Sequence, residues 1–294
     1  MLDLSASSTL SFQPAPALPV SRLVVGREVG EVVELLPRLF NLCRAAQGAA
    51  VEVALGRKAD TDGIAIEILR DHLLKFHVTW PACFGRPPTP LPDNWAVCGP
   101  ALSLAAFGPP GEAPATAADF FDYLTSDTGY APVLRLIDGS FATGEAVADL
   151  PPVTAQSIWS PGSVDNSVAS RVARHPAMLG IAESRGKGPL WRAAARLYDL
   201  HAINDGDLPS VATPTKGEAI VPAARGSYAV RIEATGDTVT RFDRVTPTDH
   251  LLAAGGVLDC ALSTLPATKG GLGNLLLDVL DPCSPVRLTE VGHA

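Results

Sequence analysis

Charged and aromatic side chains are scarce in this sequence. Only 18% of the 294 residues are charged and 6% are aromatic, whereas 47% are hydrophobic. The 23 Lys and Arg residues are outnumbered by 31 Asp and Glu residues, which gives a net charge of −8, and the basic residues are scattered along the chain. Without a basic patch there is no electrostatic basis for binding a phosphate backbone, so we expect no nucleic-acid partner.

Long apolar runs are also missing. The N-terminal segment lacks the basic start and the continuous apolar stretch of a secretory signal. The Ala- and Leu-rich segments are all interrupted by charges, Gly or Pro, so we expect no membrane span and a cytoplasmic location. The cysteines are odd in number and stand in unrelated local contexts, which favours reduced thiols over a disulfide framework. They are Cys43, Cys83, Cys98, Cys260 and Cys283.

The usual enzymatic signatures are absent. There is no G-x-S-x-G elbow, no Gly-Lys-Ser/Thr phosphate loop and no H-E-x-x-H helix, and Gly186-x-Gly188 lacks a third glycine. His72 and His77 share one predicted helix but lie roughly 140° apart around its axis, so they cannot chelate one metal together. We therefore expect one partly buried and one exposed histidine, and the sequence predicts a protein that is not an enzyme.

Helical periodicity dominates the chain. Apolar residues recur at helical spacing from Val29 to Phe40 and again over 45–53, and Pro37 between them predicts two helices that meet at a bend close to Cys43. Further helices are predicted from about Thr61 to Trp80, from near Thr116, from Pro189 to about His201, and within 248–263 and 272–280.

Extended and irregular segments complete the pattern. Residues 9–24 predict a strand and then an extended lead-in, and the alternating runs from Tyr228 to Val245 predict a β-hairpin that turns at Thr235-Gly236-Asp237. Residues 81–114 contain nine of the 26 prolines and predict an irregular surface loop, whereas 151–190 permit no assignment. We predict a mainly α fold (α+β) with small β-hairpin elements, as one domain over residues 1–294.

Two cysteines have neighbours that suggest chemistry. Arg38 and Arg44 stand beside Cys43, and nearby guanidinium charge favours the thiolate, which is the form that binds metal. Cys283 follows Asp281-Pro282 at a predicted helix end, where proline forces the chain out of helix and can present the next side chain to a cleft. The alternative interpretation is that each cysteine is a small buried residue without a chemical role.

Both cysteines lie in segments that resemble motifs of nickel-iron hydrogenase large subunits. The N-terminal motif of that family is R-x-C-G-x-C-x-x-x-H. In this chain Arg38 and Cys43 match it, whereas Phe40, Asn41 and Gln47 replace the first Cys, the Gly and the His. One of the two metal-binding cysteines of this motif is therefore lost.

The C-terminal motif of the large subunits is D-P-C-x-x-C-x-x-H. Asp281-Pro282-Cys283 matches its beginning, but Val286 and Thr289 replace the second Cys and the His. Between the two motifs, Ala224-Arg225-Gly226 and the later Val245-Thr246-Pro247-Thr248 are similar to the [AP]-R-G region, whose arginine lies over the diatomic ligands of the iron. The ordered set of segments resembles the HupK-type accessory proteins of nickel-iron hydrogenase maturation, with a helical bundle core like that of the large subunit.

This resemblance implies an assembly scaffold with no catalytic activity. It implies that Cys43 and Cys283 approach one another and transiently bind an iron centre carrying cyanide and carbonyl ligands, which Arg225 orients. Two thiolates suit such an iron fragment but leave nickel without its four sulfur ligands, so no nickel is expected. The implied partners are a small hydrogenase chaperone of the HypC/HupF type and the immature hydrogenase large subunit.

Two other interpretations compete with the scaffold. The chain is alternatively a metal-free mimic of the large subunit that recruits hydrogenase chaperones, with its cysteines as relics. The third alternative, a redox or hydrolytic enzyme, has the least support because no acid, base and nucleophile constellation is visible.

Overall fold

Helices are the predominant secondary structure of the computed structural model, which describes residues 10–39 and 42–290. The α-helices are α1 (Val20–Val24), α2 (Val29–Leu39), α3 (Arg44–Ala54), α4 (Asp62–Leu74), α5 (Trp80–Cys83), α6 (Pro100–Phe107), α7 (Ala117–Thr125), α8 (Ala131–Ser140), α9 (Val168–Val172), α10 (Pro176–Arg185), α11 (Pro189–Asn204), α12 (Pro247–Leu251), α13 (Val257–Ser263) and α14 (Gly273–Leu280). The strands are β1 (Leu10–Pro14), β2 (Glu218–Ala223), β3 (Gly226–Thr235), β4 (Thr238–Val245) and β5 (Val286–Glu290). The mainly helical fold with small sheets is as predicted.

Helix α11 lies at the centre of the larger hydrophobic core. Pro189 occupies its first turn, where the missing N–H costs nothing, and the predicted start is confirmed. Helices α4, α6, α8, α9, α10 and α14 all contact it. Almost every side chain of α11 is buried, including Arg192, Arg196 and Asp199. Charged side chains rarely occupy such positions unless they are paired, so the centre of the fold must contain ion pairs.

A second hydrophobic cluster lies between the first three helices and a three-stranded sheet. Strands β2, β3 and β4 pair antiparallel in that order, and the β3–β4 pair confirms the predicted hairpin. Strand β2 was not predicted because Pro222 interrupts its sequence, but β2 is an outer strand of this sheet, a position that tolerates proline. The cluster packs α2 and α3 against this sheet.

Helices α2 and α3 meet at a corner beside Cys43, as predicted. Pro37 lies inside the last turn of α2, and that helix continues to Leu39. The next described residues are Leu42 and Cys43, and Cys43 has left-handed backbone angles (φ 59°, ψ 37°) immediately before α3. The chain therefore changes direction at the cysteine itself.

The predicted helix over 61–80 consists of three consecutive parts. Thr61 precedes α4, a π-helical turn covers Lys75–Thr79, and α5 continues from Trp80. A π-helical turn inserts an extra residue into the helical repeat and often marks a functional position. Here it begins at Lys75, a buried cation.

The two ends of the described chain pair with each other. Strands β1 and β5 form an antiparallel two-stranded sheet with Phe12 opposite Leu288. The predicted strand near the N-terminus is confirmed, although its lead-in includes the short helix α1. This pairing anchors the segment that follows Asp281-Pro282-Cys283.

Two expectations about irregular segments need correction. Residues 81–114 are not irregular throughout, because Pro100 opens α6 and Leu102, Ala106 and Phe107 pack into the core. The many prolines suggested a loop, but a proline in the first turn of a helix, such as Pro100, favours the helix. Residues 151–190, left unassigned, contain α9 and α10.

No helix in residues 10–39 and 42–290 has both the length and the apolar character needed to cross a membrane.

Candidate metal and cofactor site

Cys43 forms the corner between α2 and α3 and remains partly exposed. The corner is fixed by hydrogen bonds from Gln47, whose backbone N–H donates to the Cys43 carbonyl (3.0 Å) and whose Nε2 donates to the Leu42 carbonyl (3.0 Å). Because Nε2 faces a carbonyl, Oε1 of Gln47 must point elsewhere, and this buried oxygen has no partner.

Cys283 follows the C-terminal end of α14. Asp281 adopts left-handed angles (φ 56°, ψ 63°) and ends that helix, so the chain turns sharply before the cysteine. The backbone N–H of Cys283 donates to Oγ1 of Thr248 at 2.8 Å, and Thr248 belongs to α12. Helix α12 therefore fixes the second cysteine segment.

Arg225 lies in the tight connection between β2 and β3. Nη1 of Arg171 donates to the carbonyls of Ala223 and Gly226, both at 2.9 Å, and so fixes the loop on either side of Arg225. A Cβ at Gly226 would lie 2.5 Å from the backbone oxygen of Asn166, so only glycine fits there. The loop thus has one geometry, and Arg225 projects from it.

These three segments meet at one cavity of about 280 Å³. The cavity is lined by Leu39, Leu42, Cys43, Gln47, Arg225, Thr246, Pro247 and Cys283. Nη1 of Arg225 is buried and has no hydrogen-bond partner. The structure therefore brings together all three residues predicted from the sequence, and Gln47 joins them at the position where the large-subunit motif has histidine.

The environment of Cys43 differs from the one expected. Desolvation raises the pKa of its thiol to about 12, with a further increase from Glu67, against the lowering effect of Arg225 and of the Ala224 backbone N–H. Arg44 is exposed, and Arg38 is 74% exposed and paired with Glu34 at 3.6 Å. The expectation that Arg38 and Arg44 favour a thiolate is wrong, because both side chains are exposed and burial raises the pKa of the Cys43 thiol. Arg225 is the cation that acts on this thiol.

Arg225 belongs to a buried cluster of charged side chains. Arg225 lies 3.1 Å from Asp71 (Nη2 to Oδ1) and 2.9 Å from Asp281 (Nε to Oδ2). Arg196 also bridges these two carboxylates, at 2.9 and 2.8 Å, and Lys75 contacts Asp281 at 2.7 Å. Three cations around Asp281 lower its pKa to about 2 although desolvation opposes this, so the carboxylate is ionised at neutral pH.

The cluster continues into the core through His72. Nη1 of Arg196 lies 3.0 Å from Nδ1 of His72, and Nε2 of His72 lies 2.7 Å from Oδ2 of Asp199. Because arginine only donates, Nδ1 must accept and Nε2 must carry the proton, so His72 is neutral. Desolvation lowers the pKa of His72, as does Arg196, which agrees with this assignment although Asp199 opposes it.

The chain of contacts returns to the Arg225 loop. Arg171 makes a two-pronged contact with Asp199, at 2.7 and 2.6 Å, while donating to the two loop carbonyls described above. His77, the other histidine considered, is half-buried and contacts Thr89 and Tyr130 instead. His72 and His77 therefore have separate partners, and His72 is buried more deeply than expected.

Sequence reasoning missed most of this cluster. Asp71, Lys75 and Arg196 lie outside the recognised motifs, and Asp281 was noted only as a motif residue. One signal was available, since Arg192, Arg196 and Asp199 interrupt a helix that is otherwise apolar on all sides, which is typical of buried pairing.

The residue set suits a metal that brings ligands of its own. No group of three or more His, Cys, Asp or Glu side chains that could bind a metal occurs within residues 10–39 and 42–290. Two cysteines line the cavity instead, and among its other lining residues Arg225 has a buried donor and Gln47 a buried acceptor without hydrogen-bond partners. Two soft sulfur ligands fit an iron ion whose remaining positions are already filled by small ligands able to accept a hydrogen bond.

The chain is similar over nearly its whole length to two hydrogenase expression/formation proteins. It is 47% identical to HupK of Rhodobacter capsulatus, over 97% of this chain and 94% of the relative. It is 24% identical to HupK of Bradyrhizobium diazoefficiens, with the same shares of the two chains covered. No protein-family model matches the chain.

Solved structures with a similar fold are hydrogenases. The G491S variant of the [NiFeSe] hydrogenase from Desulfovibrio vulgaris Hildenborough matches 92% of this chain and 92% of its own, with a TM-score of 0.55 and 14% identity. The as-isolated oxidised form of the enzyme from the same organism matches with a TM-score of 0.54 at 12% identity. At such low identity these matches establish the fold, that of a hydrogenase large subunit.

Proposed function

Because the chain belongs to the HupK family of hydrogenase expression/formation proteins, we propose that it is a non-catalytic scaffold that binds an iron fragment with cyanide and carbonyl ligands during hydrogenase maturation. The cargo is transferred to the immature large subunit, and nickel is not bound. One observation carries this proposal: Cys43, Cys283 and Arg225 line the same cavity, and the buried Nη1 of Arg225 has no hydrogen-bond partner within the protein.

The residues of the cavity have separate tasks in this proposal. Cys43 and Cys283 supply the sulfur ligands, and Arg225 donates a hydrogen bond to a cyanide of the cargo. Each thiol must lose its proton on binding, so loading releases protons and is favoured by rising pH. Asp71 and Asp281 orient the Arg225 side chain, and Arg171 fixes its loop.

The proposed partners follow from the same assignment. A small hydrogenase chaperone of the HypC/HupF type delivers the fragment, and the immature large subunit receives it. Leu42 lies at the cavity and is 42% exposed, which leaves an apolar residue available for contact at the rim.

Infrared spectroscopy tests the scaffold. The protein would be purified without oxygen from cells that express the complete maturation system, and the cyanide and carbonyl stretching bands would be recorded. We expect bands in the unaltered protein that disappear in Cys43→Ala and in Cys283→Ala. Cys98→Ala, which changes a thiol that does not line the cavity, is the matched control and should retain them.

The large-subunit fold itself favours a second candidate, the metal-free mimic that recruits hydrogenase chaperones. Half of each cysteine pair has been lost, whereas the fold match extends over 92% of the chain. If the bands are absent, and chaperone binding and hydrogenase maturation survive in Cys43→Ala, the scaffold proposal is wrong and the mimic is supported.

A further inference from the structure

One face of α4, continued by the first residue of the π-helical turn, contacts all three segments of the cavity. Glu67, Asp71 and Lys75 follow one another at four-residue spacing, which places them along a single side of the helix. Glu67 contacts the start of α3 beside Cys43, Asp71 contacts Arg225, and Lys75 contacts Asp281 two residues before Cys283. Asp71 and Lys75 belong to the charge cluster already described, whereas Glu67 has no role so far.

The start of α3 needs an acceptor from elsewhere in the chain. The first N–H groups of a helix have no partner within it, and a side chain just before the helix usually accepts one of them. Here that residue is Cys43, whose side chain makes no such bond. Oε2 of Glu67 accepts the Ala45 N–H at 2.9 Å instead. A carboxylate at this end of a helix is also favoured by the helix dipole.

The hydrogen bond between Glu67 and the Ala45 N–H connects the Cys43 corner to α4. Ala45 is two residues from Cys43, whose left-handed backbone makes the corner. Gln47 fixes the corner from within α3, and Glu67 fixes it from α4. Oε1 of Glu67 is buried without a partner, whereas the carboxylate faces the backbone N–H groups at the start of α3 and accepts the Ala45 N–H at 2.9 Å.

We propose that Glu67 is a positioning residue that fixes Cys43 relative to Arg225 and Cys283 through the Ala45 N–H. The inference rests on the proposed function, because it concerns the thiol that binds the cargo. It adds that the two thiols are already arranged before any metal binds, since α4 and the π-helical turn that continues it contact the segments that carry them. Loading then requires no folding step at the site.

Alkylation of the metal-free protein tests this without any cargo. The rates at which iodoacetamide modifies Cys43 and Cys283 would be measured separately by mass spectrometry of the peptides. In Glu67→Leu we expect the corner to open more often, so that Cys43 reacts about tenfold faster while Cys283 keeps its rate. Glu34→Leu, which removes an exposed carboxylate from α2, is the matched control and should change neither rate.

Two further variants distinguish the hydrogen bond of Glu67 from its negative charge as the cause of the effect on Cys43. Glu67→Gln removes the charge but retains an oxygen that can accept the Ala45 N–H, so Cys43 should react at close to its original rate. Glu67→Asp withdraws the acceptor by one methylene and should give an intermediate rate, and it covers the case in which Glu67→Leu fails to fold. Equal acceleration in the Gln and Leu variants would assign the effect to charge and overturn the proposal, as would an unchanged Cys43 rate in folded Leu and Asp variants.

Infrared spectra then distinguish failure of this inference from failure of the proposed function. If the unaltered protein shows cyanide and carbonyl bands, we expect them shifted or lost in Glu67→Leu and retained in Glu67→Gln. Retained, unshifted bands in Glu67→Leu overturn the positioning role and leave the scaffold intact. If the unaltered protein shows no bands, the scaffold fails, and the alkylation rates alone decide whether Glu67 positions Cys43.

Discussion

Asp281 is the residue on which most of the buried charge cluster converges. Lys75, Arg196 and Arg225 all lie within 2.9 Å of its carboxylate. Its left-handed backbone also ends α14 and turns the chain toward Cys283. The Asp281 side chain therefore contacts three buried cations, and its backbone conformation directs the second cysteine.

Replacing Asp281 by Asn should destabilise the protein by about 3 kcal/mol, since removal of one partner leaves buried charges uncompensated. Urea unfolding at pH 7, followed by circular dichroism, measures this. Asp243→Asn, at an exposed ion pair with Arg241, is the control and should change the unfolding free energy far less. A loss as small as that of the control would contradict the assigned role of Asp281.

Acid should weaken the protein through the same carboxylate. The folded-state pKa of Asp281, about 2, lies below its ordinary 3.8, so ionised Asp281 stabilises the fold above about pH 4 and this contribution disappears as pH falls toward 2. The expected contribution is about 2 kcal/mol. Unfolding free energies measured from pH 5 to pH 2 should decline more steeply for the unaltered protein than for Asp281→Asn. Parallel curves would be inconsistent with a depressed pKa.

The cavity residues could be predicted from the sequence more readily than the residues of the charge cluster behind them. Cys43, Cys283 and Arg225 belong to short sequence motifs, which can be recognised without knowledge of the fold. Asp71 and Arg196 are 125 positions apart and meet only through packing of α4 against α11. Local spacing contains no information about such a pair, so the charge cluster became apparent only in the structure.

At the scale of elements, α12 connects the hairpin to the second cysteine segment. Thr246 precedes the helix, and its hydroxyl accepts the Asp249 N–H while the Asp249 carboxylate accepts the Thr246 N–H at 2.7 Å. This reciprocal cap makes a short helix persistent. Thr248 is thereby placed so that its hydroxyl accepts the Cys283 N–H.

Removing the Thr248 hydroxyl should loosen Cys283 without affecting Cys43. Thr248→Val preserves the shape of the side chain, so we expect a loss of about 1 kcal/mol in unfolding free energy and faster alkylation of Cys283. Thr248→Ser retains the acceptor and serves as the matched control. Faster alkylation of both cysteines, or of neither, would show that the N–H to hydroxyl bond does not govern the second cysteine.

Elements with one exposed face were predicted well, and buried or interrupted elements less so. The β3–β4 hairpin shows alternation because one side of β4 faces solvent. Helix α6 was hidden by the prolines around it, and α9 and α10 by the Gly- and Pro-punctuated sequence of 151–190. In these segments tertiary packing of a few apolar residues outweighs weak local preferences.

At the scale of the whole molecule, α11 is the element most completely enclosed by others. Its backbone amides should therefore exchange with deuterium most slowly, at a rate that approaches that of global unfolding. Hydrogen exchange followed by mass spectrometry should show greater protection over 190–203 than over the terminal strands β1 and β5. Faster exchange in α11 than in β1 would contradict the central placement of this helix.

The buried charges have a consequence for stability and its relation to function. Well-packed apolar side chains in place of buried ion pairs often leave a protein equally stable or more stable, by about 1–4 kcal/mol. A chain that needed only the shape of this fold would gain by exchanging Asp71, Lys75, Arg196, Arg225 and Asp281 for such residues. On this principle we expect the cluster to lower stability while it fixes an arginine beside two thiols, so an apolar replacement of all five residues should test whether the cluster serves the cavity or the fold.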